Sequence, residues 1–153
     1  MIKTTDLVLE TFERSSTEVK DGMDISFISY NKSSRDIHWS GANNPLLYIS
    51  NGELIEIKPD KQPIGKHDNR KPFTTNKINY FQNSMFYLFT DGLSDQFGGV
   101  KGKKFMQRKL KEILVGNCNL EMEEQKKILK KEFLDWKGNL DQVDDITVLG
   151  IKI

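Results

Sequence analysis

Two acidic side chains lie where a metal ion can be bound. Asp91 closely follows the continuously apolar run Met85–Phe89, and Asp144 comes just before the final apolar run, residues 146–153. Each motif by itself is typical of an ordinary turn or loop. If the two runs are neighbouring antiparallel strands, both carboxylates emerge at the same end of one sheet, from strands about 4.8 Å apart. Because like charges this close repel each other, the pair favours a shared cation.

The type of ion follows from the other residues of the chain. One cysteine, Cys118, and two histidines, His38 and His67, are too few for a His/Cys zinc site or an intrachain disulfide framework. A site made of carboxylate oxygens favours Mg²⁺ or Mn²⁺, ions that activate water and stabilise phosphoryl oxygens. The glycine-rich run 98–103 is one residue short of a nucleotide-binding phosphate loop, and Lys104 stands where that loop needs serine or threonine.

The composition limits the class of protein. The 153 residues include 23 Lys and Arg and 22 Asp and Glu, which gives a net charge of +1. This balance, without a basic block, argues against a nucleic-acid partner. Hydrophobic residues make up 37% of the chain, enough for a packed core. No apolar run approaches the roughly 20 residues of a membrane span, and the charged N-terminus does not read as a signal peptide. The sequence therefore predicts a soluble, cytoplasmic domain.

The spacing of apolar residues predicts the elements that position the two carboxylates. It indicates an N-terminal helix within residues 1–20, over 2–18, then an antiparallel β meander over 21–100. Helices and a final strand follow over 101–153. Strands, helices and a returning strand together indicate one α+β domain over 1–153, with helices packed on sheets.

Local signals mark some of the boundaries. Asn51-Gly52 between two apolar runs predicts a type I′ hairpin, because both residues tolerate a positive φ. A helix is expected over residues 103–115, and Asn119 is the expected N-cap of a second helix.

Six stretches of the sequence together carry a family resemblance. They are residues 21–25, 40–46, 60–65, 90–99, 136–138 and 142–147. Jointly they resemble the C-terminal portion of a SpoIIE-like, PPM-type serine/threonine phosphatase domain, of the kind found in bacterial two-component-type sensor proteins. The likeness runs from about residue 20 to the end of the chain.

The resemblance implies a fold, a site and an activity. The family fold is a β-sandwich flanked by helices, in four αββα layers. In the family, the positions of Asp91 and Asp144 bind Mg²⁺ or Mn²⁺, and Gly92 lets the backbone approach the site closely. The implied enzyme hydrolyses phosphoserine or phosphothreonine by direct attack of metal-bound water on phosphorus, so no side chain is assigned a catalytic role. The implied partners are a phosphoprotein substrate and an upstream sensory or repeat module, in a full-length protein for which membrane attachment stays open.

The sequence departs from the family pattern in two respects, of which the first is the absence of a histidine from the loop at residues 41–45. The second is the more important one. The family's first acidic motif, an Asp followed shortly by Gly-His-Gly, is absent, and Met1 falls just past its place. We therefore expect an N-terminally truncated domain that is inactive in isolation. A truncated sheet leaves an edge uncovered, which favours a dimer through strand pairing.

Two other functions remain open at this point. A noncatalytic, partner-switching interaction module would keep the same fold without the missing ligands. A structural β domain, whose acidic loops only make turns, would leave the joint placement of Asp91 and Asp144 to chance, and we rank it last.

Overall fold

A computed structural model describes residues 22–65 and 71–153 of the chain. The predicted helix over residues 2–18 lies outside this part. The strands of the described part are β1 (Gly22–Met23), β2 (Ile25–Asn31), β3 (Asp36–Ala42), β4 (Leu46–Ser50), β5 (Glu53–Ile57), β6 (Ile64–Gly65), β7 (Asn76–Ile78), β8 (Met85–Phe89), β9 (Phe97–Gly98), β10 (Lys103–Lys104) and β11 (Val148–Lys152). The helices are α1 (Gly92–Asp95), α2 (Met106–Gly116) and α3 (Met122–Lys137).

The described residues fall into two compact units. The first contains the described residues up to Leu46 and those of Ile57–Asn79, and the second contains Leu47–Glu56 and Tyr80–Ile153. Strands and helices in this arrangement confirm the α+β class. The division into one domain over 1–153 stays a prediction. No helix in residues 22–65 or 71–153 is long and apolar enough to cross a membrane.

The first unit is built on an antiparallel sheet of order β2-β3-β7. Its register places Ile28 opposite Trp39, and Ile37 opposite Ile78. Because residues opposite each other share a face, these four side chains lie on one side of the sheet, where Ile37, Trp39 and Ile78 are buried. The Trp39 indole N–H donates a hydrogen bond to Ser26 Oγ at 2.8 Å, so the ring is buried without losing its polar partner.

The second unit contains the sheet that carries both candidate ligands. Its strand order is β11-β8-β4-β5, and β11 is antiparallel to β8, with Val148 opposite Phe89. The two apolar runs are therefore neighbouring antiparallel strands, as the argument from the sequence assumed. The turn between β4 and β5 is the predicted hairpin, since Asn51 and Gly52 have φ values of 51° and 79°.

Helices α2 and α3 contribute to the apolar core on one face of this sheet. The core consists of alternate residues of β4 and β8, residues of the three helices, and Phe105 directly before α2. These residues are Leu47, Ile49, Met85, Tyr87, Phe89, Leu93, Phe105, Leu110, Leu114 and Phe133. Burial of each large apolar side chain contributes about 1.5–3 kcal/mol. A buried polar contact fixes α3 on the sheet, because the Tyr87 hydroxyl donates to Gln125 Oε1 at 2.7 Å.

Both helix starts differ from the prediction. Helix α2 begins at Met106 rather than at residue 103, because Lys103 and Lys104 form β10 and pair with β9. Helix α3 begins at Met122, and its N-cap is Glu121 in an extended conformation. Asn119 is therefore not the cap. The Glu121 carbonyl instead accepts the backbone N–H of Gln125 at 3.0 Å, which starts the helical hydrogen bonding two residues later than predicted.

Candidate metal centre

The pairing of β8 with β11 continues into the loops that carry the two aspartates. Beyond the last strand pair, the Thr90 backbone N–H donates to the Thr147 carbonyl at 3.1 Å. The Thr147 N–H in turn donates to Thr90 Oγ1 at 3.0 Å. Asp91 follows Thr90 directly, and Asp144 comes three residues before Thr147. The structure therefore brings the two sequence-predicted carboxylates to the same end of one sheet.

Gly92 is the point at which the two loops touch. A Cβ atom built on Gly92 would lie 2.5 Å from the Asp145 carbonyl oxygen and 3.2 Å from Asp144 Cβ. Real Cβ atoms essentially never come within 3.0 Å of a non-bonded heavy atom from another part of the chain, so only glycine fits here without a shift of the backbone. Gly92, the third predicted site residue, thus lies against the segment that carries Asp144, and its lack of a side chain permits this contact.

Both carboxylates are accessible to an ion. Asp91 and Asp144 are exposed. Asp91 occupies the N-cap position of α1, yet its side chain makes no capping hydrogen bond, although aspartate usually makes one there. One oxygen of Asp144 accepts the Asp145 N–H at 2.7 Å, which leaves the other oxygen available. Within residues 22–65 and 71–153, neither carboxylate forms an ion pair with a basic side chain.

The ligand set of the described residues is small. Residues 22–65 and 71–153 contain no group of three or more His, Cys, Asp or Glu side chains that could hold a metal ion. Two exposed carboxylates at one sheet end still fit Mg²⁺ or Mn²⁺, because Mg²⁺ usually keeps several waters and is held by one or two carboxylates. The residues present therefore fit a partly hydrated ion held by Asp91 and Asp144.

Two residues that support the site were missed by sequence reasoning. Thr90 Oγ1 donates to the Asp145 carbonyl at 3.0 Å, in addition to accepting the Thr147 N–H. Gln96 is fully buried, and its Nε2 donates to the Asp141 carbonyl at 2.9 Å. Thr90 had a signal, since it lies next to Asp91. Gln96 lies in the stretch 90–99 that carries the family resemblance, but nothing in the sequence indicated its burial, because a glutamine in a polar stretch is normally exposed.

Comparison with protein families gives a match over nearly the whole chain. The family model described as Stage II sporulation protein E (SpoIIE) matches residues 2–153. A comparison with curated proteins found no significant match.

Three solved structures illustrate which proteins share this fold. The SiaA-PP2C domain of Pseudomonas aeruginosa has 24% sequence identity and a TM-score of 0.83, over 99% of this chain and 66% of that chain. The PP2C phosphatase domain with a fragment of the regulatory domain of SpoIIE from Bacillus subtilis has 15% identity and a TM-score of 0.70, over 97% of this chain and 42% of that chain. The catalytic domain of the serine/threonine protein phosphatase PstP, in complex with two manganese ions, has 14% identity and a TM-score of 0.65, over 97% of this chain and 66% of that chain.

These likenesses show the fold of the chain, and they also show how much of each solved structure the chain covers. The chain spans 42–66% of the length of the three solved structures. It therefore corresponds to part of such a domain.

Proposed function

The chain belongs to the SpoIIE family, as its motifs predicted, and we propose that it is part of a metal-dependent phosphatase domain. The proposed reaction is hydrolysis of phosphoserine or phosphothreonine in a protein substrate, within a bacterial signalling protein. The observation that supports this function best is the approach of Asp91 and Asp144 at one end of the β8–β11 pair, with Gly92 packed against residues 144 and 145.

The side chains of the site have separable roles in this proposal. When bound, the divalent ion supplies Lewis-acid activation of water and stabilisation of charge on the phosphoryl group. Asp91 and Asp144 hold that ion, and Gly92 keeps their two loops in contact. Thr90 fixes the loop of Asp144 through its hydrogen bonds to Asp145 and Thr147. No side chain of the chain is assigned as a nucleophile or as a proton donor.

The remaining parts of the function lie beyond these residues. SpoIIE from Bacillus subtilis has a regulatory domain beside its phosphatase domain, and we propose that a sensory or regulatory region controls the full-length protein here too. The chain alone is expected to bind the ion weakly and to turn over a phosphopeptide slowly or not at all, because two carboxylates place little constraint on a hydrated ion. Rapid Mn²⁺-dependent release of phosphate from a phosphoserine peptide would contradict this expectation.

The metal site can be tested by calorimetric titration of the chain with MnCl₂. We expect Asp91→Asn and Asp144→Asn each to lower the affinity for Mn²⁺ at least tenfold. Asp141→Asn is the matched control, because Asp141 is exposed in the same loop and offers only its carbonyl to Gln96. Loss of affinity in both variants but not in the control supports the shared site. No binding by the parent chain would contradict the proposed site and favour an interaction module.

A further inference from the structure

The position of Asp144 depends on a buried side chain that comes from the other half of the site. Gln96 follows α1 directly, and α1 begins immediately after Asp91. The short helix is fixed to Asp91 itself, because the Asp91 carbonyl accepts the Asp95 N–H and the Ser94 hydroxyl, both at 2.9 Å. Gln96 is therefore part of the same turn as Asp91, and its side chain has no exposed surface.

The side-chain amide of Gln96 is hydrogen-bonded to the segment that leads to Asp144. Nε2 donates to the Asp141 carbonyl at 2.9 Å and to the carbonyl of Phe97 at 3.0 Å. Oε1 accepts the Val143 backbone N–H at 3.2 Å. Only a side-chain amide provides a donor and an acceptor in this arrangement: a carboxylate cannot donate, and an apolar side chain of similar length can do neither.

We propose that Gln96 is a positioning residue that fixes Asp144 relative to Asp91, and this inference rests on the proposed metal site. Asp144 lies between two attachments. Gln96 holds residues 141 and 143 on one side, and Thr90 holds residues 145 and 147 on the other. Thr90 directly precedes Asp91, and Gln96 directly follows the short helix that begins after Asp91.

The segment that Gln96 holds leads to Asp144 from its N-terminal side and is exposed. Residues 141–145 are all exposed and lie outside the helices and strands. The apolar core of the second unit consists of other side chains, none of them from this segment. Loss of the Gln96 contacts therefore loosens the N-terminal side of the Asp144 loop, while the Thr90 hydrogen bonds and the core stay in place. Removal of a residue that orients a metal ligand typically lowers metal affinity about 10–100-fold.

The test is Gln96→Met, which keeps the length of the side chain and removes both hydrogen-bonding functions. The matched control is Gln125→Met. Gln125 is also buried and also hydrogen-bonded, to Tyr87 and to the Leu120 carbonyl, but it lies in α3 and contacts neither aspartate loop. Mn²⁺ affinity is measured by calorimetry, and stability by urea unfolding, for the parent chain and both variants.

We expect Gln96→Met to lower Mn²⁺ affinity about 10–100-fold, while Gln125→Met loses stability and keeps affinity within about threefold of the parent. Amide hydrogen exchange at Val143 should be faster in Gln96→Met and unchanged in the control. If Gln96→Met does not fold, Gln96→Asn serves instead, since it keeps the amide and shortens its reach by one methylene group, which weakens the hydrogen bonds to Asp141 and Val143; we expect a smaller loss of affinity.

Equal effects of the two Met variants on Mn²⁺ affinity, or unchanged affinity in the Gln96 variants, would overturn the positioning role while the metal site stands. Failure of the parent chain to bind Mn²⁺ would overturn the proposed function, and this inference with it.

Discussion

Replacement of Gly92 by alanine should destabilise the protein, although a glycine-to-alanine change in a helix usually stabilises it. Gly92 opens α1, and its φ is not positive, so the backbone itself accepts alanine. Alanine would ordinarily stabilise such a position by about 0.5–1 kcal/mol. Here the new methyl group would lie 2.5 Å from the Asp145 carbonyl oxygen. Reaching even 3.0 Å, the shortest separation that real Cβ atoms show, requires the two loops to part by about 0.5 Å.

The neighbouring atoms determine the size of this effect. The contacts of the added Cβ are the backbone of Asp145 and Cβ of Asp144, which cannot rotate out of the way as the end of a flexible side chain can. Overpacking of this kind costs about 1–3 kcal/mol. We therefore expect Gly92→Ala to lower the free energy of unfolding by about 1–3 kcal/mol, and to weaken Mn²⁺ binding because the Asp91 and Asp144 loops are pushed apart.

Urea unfolding and calorimetric Mn²⁺ titration measure both effects. Gly116→Ala is the control, because Gly116 ends α2 and a Cβ there would have no neighbour within 4 Å. We expect this control to leave stability unchanged or to raise it by up to about 1 kcal/mol. If Gly92→Ala proves as stable as Gly116→Ala and binds Mn²⁺ as the parent does, the close contact between the two loops is wrong.

Two further predictions concern the core and the edge of the second sheet. Burial raises the pKa of Tyr87 to about 12 from its ordinary 10.0, so the folded state favours the neutral phenol. The resulting stability is complete below pH 10 and is lost as the pH rises from about 10 to 12. Urea unfolding should show a smaller loss in Tyr87→Phe, where Tyr48 still contributes, since burial raises its pKa too. Strand β11 is an edge strand of the second sheet among the described residues, and its Leu149 is 51% exposed. We expect a second copy of the chain to pair antiparallel with this edge. Size-exclusion chromatography should then show a concentration-dependent dimer that Leu149→Lys weakens. A pH-independent stability above pH 10, or a monomer at every concentration, would contradict the respective prediction.

The sequence predicted the parts of the molecule that depend on neighbouring residues in the chain. Asn51-Gly52 specifies a hairpin by its own backbone preferences, and the apolar run Met85–Phe89 identifies a buried strand without knowledge of its neighbours. The approach of Asp91 to Asp144 needed only one added assumption, that the strands beside them pair. The structure meets that assumption through the β8–β11 ladder.

The missed features depend on residues far apart in sequence. Lys103 and Lys104 read as the start of a helix, but they pair with β9 across a glycine turn. The glycine-rich run 98–103 carried no sign of its neighbours, whereas a Cβ on Gly98 would clash with the Trp136 carbonyl oxygen at the end of α3. Gln96 is buried because its side-chain amide is hydrogen-bonded to Asp141 and Val143, which lie 45 and 47 residues further along the chain. Such contacts leave no periodic signal in the sequence.

The central claim is that Asp91 and Asp144 hold one divalent ion between them. The most direct measurement is an NMR titration of the isotopically labelled chain with Mn²⁺, because a bound paramagnetic ion broadens the amide signals of nearby residues. The account predicts that signals around Asp91 and around Asp144 broaden together at the same Mn²⁺ concentration, and that Asp91→Asn abolishes the broadening at both. Broadening at only one of the two loops, or its persistence around Asp144 in Asp91→Asn, would contradict a shared ion.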